Sequence, residues 1–452
     1  MGPPPPALAV PADLLDDSRA LAGPPIAESF RSVPVPYGAS GFWRKLFAFT
    51  GPGCLVAVGY MDPGNWATDI AGGSQFGYAI LPVILVSNLV ALFLQHLALK
   101  LGIASGCDLA QACRTQYGKR TAFILWAAAE IAIIACDLAE VIGTAIALKL
   151  LFGIPLLFGV ALTILDTLFL LALMRQGVRA MEALIASLLV LIGCCFVFEL
   201  VIARPEVAGL GASLADSARI LGDPQMLYIA LGVFGATVMP HNLYLHSSIV
   251  QSRRYLPTQQ GKREAIFFAT LDSSSALTLA LFINAAILVV AAAAFHRNGL
   301  TAVVDITEAH RLLSPLLGTT AAGILFGVAL LASGQNSTLT GTLAGQVVME
   351  GMLGLRMSPF LQRLLTRCLA IVPAFGVVAL GTNGGVTRLL IFSQVVLGLQ
   401  LGFAVIPLVM FTSDKKMMGP FVNSRRVRLV GLAVAVLIVA VNGWLVIETF
   451  TQ

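Results

Sequence analysis

The residues Gly59-Tyr60-Met61-Asp62-Pro63-Gly64-Asn65-Trp66, GYMDPGNW, interrupt a segment that is otherwise apolar. A carboxylate inside hydrocarbon is costly and marks a functional position by default. Pro63 removes a backbone donor and clashes with the preceding turn, so a regular helix is not expected to pass through it. A second interruption, Gly235-Ala236-Thr237-Val238-Met239-Pro240-His241-Asn242 (GATVMPHN), again sets a proline among polar neighbours. Either one alone reads as an ordinary proline kink. What matters is how the two breaks are spaced in the order of membrane spans.

The chain has 452 residues, 58% hydrophobic and 11% charged, with mean hydropathy +0.88. Soluble domains carry about a quarter charged residues, so this composition is that of an integral membrane protein and excludes a soluble catalytic domain. Runs near the roughly 20 residues that cross hydrocarbon fall at about 44–66, 78–104, 121–150, 155–174, 180–202, 226–251, 265–294, 317–348, 364–382, 389–411 and 428–449. The breaks therefore sit in spans one and six, five spans apart. This predicts an all-α fold of two five-helix halves of opposite orientation, about 44–202 and about 226–411, with an eleventh helix at about 428–449. Helices 1 and 6 are expected to be discontinuous, a device that transporters use to build a site at mid-membrane. Unwound backbone is tolerated there only when it is buried or lines a cavity.

Residues 1–40 open with PPPP, carry Asp16 and Asp17, and continue with scattered prolines. Such a composition cannot bury a core, which predicts a disordered cytoplasmic tail ahead of a transmembrane domain at 41–452. It also lacks the basic start and short apolar stretch of a signal peptide. With the N-terminus inside, 22 of the 28 Lys and Arg fall on the inner side, which leaves Lys149, Arg204, Arg219, Arg297, Arg311 and Arg388 outside. The positive-inside rule thus supports eleven spans with the C-terminus outside, and the net charge of +5 reads as topology rather than nucleic-acid binding. The seven cysteines form no CxxC pair, which argues against a disulfide framework or a zinc knuckle.

At the breaks, Asp62 offers a hard anionic oxygen and Asn65 a neutral one, while the freed carbonyls of Gly59 and Ala236 can face the same point. Met239 adds a soft thioether. Oxygen ligands alone suit Mg²⁺ or Ca²⁺, and a thioether shifts preference toward manganese, iron or cobalt. Methionine more often serves packing, but its place immediately before Pro240 favours a ligand. His241 and His246 are five residues apart, about 140° of helix rotation, so they cannot chelate one ion from a regular helix. Their titration range suits gating or proton handling, with hydrogen-bonded helix packing as the alternative. Glu130, Asp137 and Glu140 lie near one face of span three over about 15 Å, a candidate proton relay with Arg367 as partner. The competing reading is a static ion pair. Asp166, Glu182, Glu199 and Asp272 are isolated and receive no role.

GYMDPGNWATDI, VMPHNLYLHSS, DLAEVIGTAIAL, LTRCLAIVPA and FSQVVLGLQLGFAVIPLVMFTSD together resemble the Nramp family (natural resistance-associated macrophage protein) over nearly the whole chain after residue 40. The resemblance implies a LeuT-type 5+5 inverted repeat and proton-coupled divalent metal transport. It implies that Asp62, Asn65, Met239 and the Ala236 carbonyl are metal ligands, that Gly59 joins in some states, and that Gln394 closes on the ion. It also implies that His241 and His246 serve pH response and gating, and that Glu130, Asp137, Glu140 and Arg367 form a proton-exit network. Gly402 departs from the family pattern, which has proline there, and predicts altered bending of span ten. Magnesium- and aluminium-transporting relatives lack the methionine at 239, so its presence implies manganese or iron.

The expectation is a non-enzymatic, proton-coupled importer of Mn²⁺, and of Fe²⁺, working by alternating access, with H⁺ as coupling ion and no permanently bound cofactor. Its partners are the metal ions, protons and the lipid bilayer, it is not expected to bind nucleic acid, and it reads as functional as a monomer. The expected location is the bacterial inner membrane. A Mg²⁺ or other cation symporter, or an amino-acid transporter of the same fold, is the alternative, although Asp62 would repel a substrate carboxylate. A channel would need a continuous polar pore, and a metal sensor a folded output domain.

Overall fold

The computed structural model describes residues 31–36, 41–165, 176–206, 217–301, 303, 305–355, 357–380 and 384–451. Strand β1 (Val33–Pro34) precedes helix α1 (Phe42–Phe49), and the first span is split into α2 (Pro52–Gly59) and α3 (Pro63–Phe76). Then come α4 (Leu81–Ser105), α5 (Leu109–Gln116), α6 (Lys119–Phe152), α7 (Leu156–Leu162) and α8 (Val178–Ala203). The second half opens on another split pair, α9 (Pro224–Val238) and α10 (Pro240–Ile249), followed by β2 (Arg253–Arg254), α11 (Gln259–Ala294) and α12 (Ile306–Leu317). Helices α13 (Thr320–Val348), α14 (Pro359–Ala379), α15 (Gly385–Thr412), α16 (Lys415–Met418) and α17 (Arg425–Thr451) complete it.

Among the described residues, nine helical segments are long and apolar enough to cross a membrane. The short α2 falls below that length because the break cuts span one, and residues 166–175 of the expected fourth span lie outside the description. Large apolar side chains such as Val197, Val201, Val372 and Leu429 point outward, as expected of helices solvated by lipid. The polar side chains are gathered inside instead, where Asp62, Asn65, Asp137, Glu140 and Arg367 are buried.

The two split helices lie against one another half by half, α3 against α9 and α2 against α10. Halves that follow the break in one repeat thus meet halves that precede it in the other, which is an antiparallel arrangement. Helix α11 backs both α2 and α3, while α15 packs on α9 and α6.

The sequence explains each break locally. Asp62 caps α3 by accepting from the Asn65 amide nitrogen at 2.8 Å, and Pro63 occupies the first helical position, where no donor is needed. The Met61 carbonyl, cut off from its helical donor, accepts from Trp66 Nε1 at 3.2 Å and from Ser333 Oγ. Trp66 itself is wedged between Phe196 and Phe326, with ring centroids 4.8 and 5.2 Å away. Buried backbone groups must find partners, and here packed side chains from α3 and α13 supply them.

Two sequence expectations change. Span one does not begin at 44: residues 42–49 form the separate helix α1, and the chain turns at Gly51 before Pro52 starts α2. Phe42, Trp43 and Phe47 on α1 are exposed, which suits a helix lying at a membrane interface. The stretch expected to be a disordered tail contains an ordered segment, since Val33 and Pro34 pair in parallel with Arg253 and Arg254. Two buried valines, Val33 and Val35, supply apolar area that the composition of the tail as a whole hides. Span ten runs as one helix, α15, through Gly402 and carries Pro407 within it.

Candidate metal site

The two breaks bring their polar groups to one point. Asn65 Nδ2 lies 2.8 Å from Asp62 Oδ1, 3.3 Å from the Gly59 carbonyl and 3.3 Å from the Ala236 carbonyl. One amide with two hydrogens therefore faces three oxygens, drawn from both split helices. Gln394 on α15 closes the opposite side, its Nε2 3.4 Å from Asp62 Oδ2. A Cβ on Gly64 would fall 1.6 Å from that nitrogen, so the glycine is what admits the glutamine. Among the described residues no Lys or Arg hydrogen-bonds or ion-pairs with Asp62; its partners are the backbone and side-chain amides of Asn65 and the amide of Gln394.

Met239 joins from the second break. Its Sδ would sit 2.9 Å from a Cβ placed on Gly59, and Asn242 Nδ2 approaches the sulfur at 3.5 Å. The Met239 backbone has φ 39° and ψ 103°. A positive φ in a residue other than glycine is strained, by about 1–3 kcal/mol, and such strain concentrates at functional sites. It is held by Pro240, which starts α10, and by Asn242, which also donates to the Val56 carbonyl at 3.4 Å. Asp62, Met239 and Gln394 are 0% exposed and Asn65 is 1% exposed, so the site is closed to both faces.

A second polar cluster lies between α6 and α14. Arg363 donates to Asp137 Oδ1 and, at 2.8 Å, to Glu140 Oε2. Arg367 reaches the same Glu140 oxygen at 3.2 Å, and Thr338 Oγ1 donates to it at 3.1 Å. Sequence reasoning found Arg367 but set Arg363 among the inner-face cations. The signal was present, since four residues on a helix put Arg363 and Arg367 on one face. Glu130 is not part of this cluster; it is half-buried, and its Oε2 has no hydrogen-bond partner among the described residues.

The histidines separate. His246 Nδ1 is 2.9 Å from Gln95 Oε1, and Gln95 Nε2 contacts the Tyr60 hydroxyl at 3.5 Å, which ties α10 to the first break. His241 is fully buried, and among the described residues neither ring nitrogen has a partner. Of the carboxylates without a role, Glu182 is paired with Arg253 at 2.7 Å and Arg179 at 3.1 Å. Asp272 accepts from the nitrogens of Gly51 at 3.3 Å and Gly53 at 2.7 Å. Both brace the start of α2. Glu199 is buried with no hydrogen-bond partner among the described residues, and Asp166 lies outside them.

A closed site formed at two broken helices within a polytopic helical bundle defines a membrane transporter of the inverted-repeat class, not an enzyme. The family profile described as natural resistance-associated macrophage protein-like (Nramp) matches residues 53–448, and the chain belongs to that family. A divalent metal cation transporter MntH of Listeria innocua is 56% identical over 434 residues, 96% of this chain and 97% of the relative. The MntH of Mesorhizobium japonicum is 57% identical over 428 residues, 94% of each chain. The crystal structure of the Eremococcus coleocola manganese transporter superposes with TM-score 0.85 at 40% identity, covering 92% of this chain and 89% of that one. Mhp1, a nucleobase-cation-symport-1 transporter, matches with TM-score 0.57 at 15% identity and shares the fold alone.

Proposed function

We propose that this chain imports Mn²⁺, and also Fe²⁺, across the bacterial inner membrane, coupled to protons, by alternating access between the two broken helices. The observation that carries this reading is the donor set: a carboxylate, an amide and two backbone carbonyls meet at one buried point, with the Met239 thioether beside Gly59. A buried carboxylate without a countercharge is expensive, and an arriving divalent ion removes that cost. Rotation of the Asn65 amide exchanges its nitrogen for its oxygen, which turns the group from a donor that spans three oxygens into a fourth oxygen ligand. Met239 then favours a transition metal over Mg²⁺ and Ca²⁺. The names of the MntH relatives and of the manganese transporter support the same substrate class.

Asp62 holds the coupling proton and loses it when the metal binds. The proton leaves along α6 through Asp137 and Glu140, where Arg363 and Arg367 stabilise the charged intermediates of the path, with Glu130 beyond them. His241 and His246 respond to pH and gate the passage between α10 and the first break. The chain works as a monomer, with its N-terminus cytoplasmic, its C-terminus outside, and the unit from residue 41 onward as its transport domain.

Uptake into proteoliposomes against a metal panel tests this directly. Mn²⁺ and Fe²⁺ are expected to accumulate, faster when the outer side is acidified, because protons then enter down their gradient with the metal. Uptake that ignores the gradient would remove proton coupling. Mg²⁺ uptake equal to that of Mn²⁺ would remove the role of the sulfur.

A further inference from the structure

The strand β1 stands directly on the segment that leaves α10. Val33 lies opposite Arg253 and Pro34 opposite Arg254, while the Arg31 nitrogen donates to the Gln251 carbonyl at 3.0 Å. Val35 enters an apolar cluster, separate from the main core, that contains Ala48 and Phe49 of α1, Leu99 and Ile103 of α4, Val250 just after α10, and Phe268 of α11. The backbone partner of Val33 is itself a clamp. The buried Arg253 guanidinium donates to the carbonyls of Ala48 at 3.0 Å, Phe49 at 3.3 Å and Thr50 at 2.8 Å, and it pairs with Glu182 of α8. Those carbonyls end α1 just before Gly51, where φ is 142° and a Cβ would lie 2.2 Å from Glu182 Cδ. This is the turn at which α2 begins.

We infer that residues 31–36 are a strap that fastens the closed inner half of the transporter and must lift for the site to open toward the face that carries the N-terminus. The inference rests on the alternating-access reading above. Opening in that direction requires α2 to part from α10 and α11, which pack against it. The strap bridges elements on both sides of that separation: it reaches α1, which leads into α2, through the apolar cluster that Val35 shares with Ala48 and Phe49, and it reaches the end of α10 and α11 through β2 and Phe268. Two buried valines and a two-residue ladder only about offset the ordering of a six-residue segment. The strap is therefore a reversible fastening and not part of the core.

The test follows Cys54, the half-buried cysteine on α2, in full-length protein with the other six cysteines replaced. A water-soluble maleimide is applied to the protein in nanodiscs, and the labelling rate is compared for the intact chain, the Val33→Asp/Val35→Asp variant and a chain lacking residues 1–36. Release of the strap should raise the rate about fivefold or more in both altered chains. Val35→Ala, which keeps the fold with less disturbance, should give a smaller rise. Equal rates in chains whose thermal midpoints are unchanged would overturn the strap. Labelling needs no metal, so strap-dependent rates in a protein that fails to take up Mn²⁺ would leave the strap standing and overturn the proposed transport.

Discussion

Two sites with buried carboxylates, one holding a pair and the other a single group, answer the same electrostatic problem in opposite ways. Between α6 and α14, Asp137 and Glu140 are compensated by Arg363 and Arg367, fixed charges that belong to the chain. At the breaks, Asp62 meets only amides among the described residues. Burying unpaired charge is costly, so the first site is complete as it stands while the second is completed by a cation from solution. Lack of a partner does not by itself make a site, for Glu199 also lacks one among the described residues. What distinguishes Asp62 is convergence: the Asn65 amide bonded to it also reaches the Gly59 carbonyl and, from the opposite repeat, the Ala236 carbonyl, with the Met239 sulfur beside Gly59.

The largest effect should follow removal of the uncompensated charge. Asp62→Ala is expected to lower initial Mn²⁺ uptake by about 100-fold or more while leaving the fold intact, since no arginine is stranded; retained uptake would break the contrast between the two sites. Glu140→Ala should do the reverse to stability. It strands two guanidinium groups beside one carboxylate, a loss of about 3–5 kcal/mol, seen as a lower unfolding midpoint in detergent. If that midpoint did not move, the α6–α14 cluster would not be the self-contained unit described. Met239→Ala sharpens the comparison on chemistry, with an expected loss of about tenfold in preference for Mn²⁺ over Ca²⁺ in competition uptake and a much smaller change with Mn²⁺ alone. Gln394→Ala removes the long hydrogen bond to Asp62 as well as the one to Ser393 Oγ, so a reduction of about three- to tenfold in apparent Mn²⁺ affinity is expected, read by isothermal titration.

Much of this was legible in the residues because membrane folds leave few options. Hydropathy marks spans, and two prolines set beside polar groups mark the breaks, which is why Asp62, Asn65, Met239 and Ala236 are found together. The identity of the second arginine was less visible. Arg363 looks like one more inner-face cation until α14 turns it toward α6. Asn242 was read only as part of a motif, whereas the structure makes it the donor that steadies both Met239 and the Val56 carbonyl. The docking of residues 31–36 was hidden because composition averages over a window, and two valines in a proline-rich stretch do not change that average. The roles of Glu182 and Asp272 depend on partners about 70 and 220 residues away, separations at which no local pattern informs.

The central claim is that a hard carboxylate from one repeat and a soft sulfur from the other bind the same ion. X-ray absorption at the manganese edge, on Mn²⁺-loaded protein in detergent, tests it most directly. The account predicts one sulfur scatterer within an otherwise oxygen shell, lost in Met239→Ala while the oxygen shell remains. A shell of oxygen and nitrogen alone in the unaltered protein would contradict it.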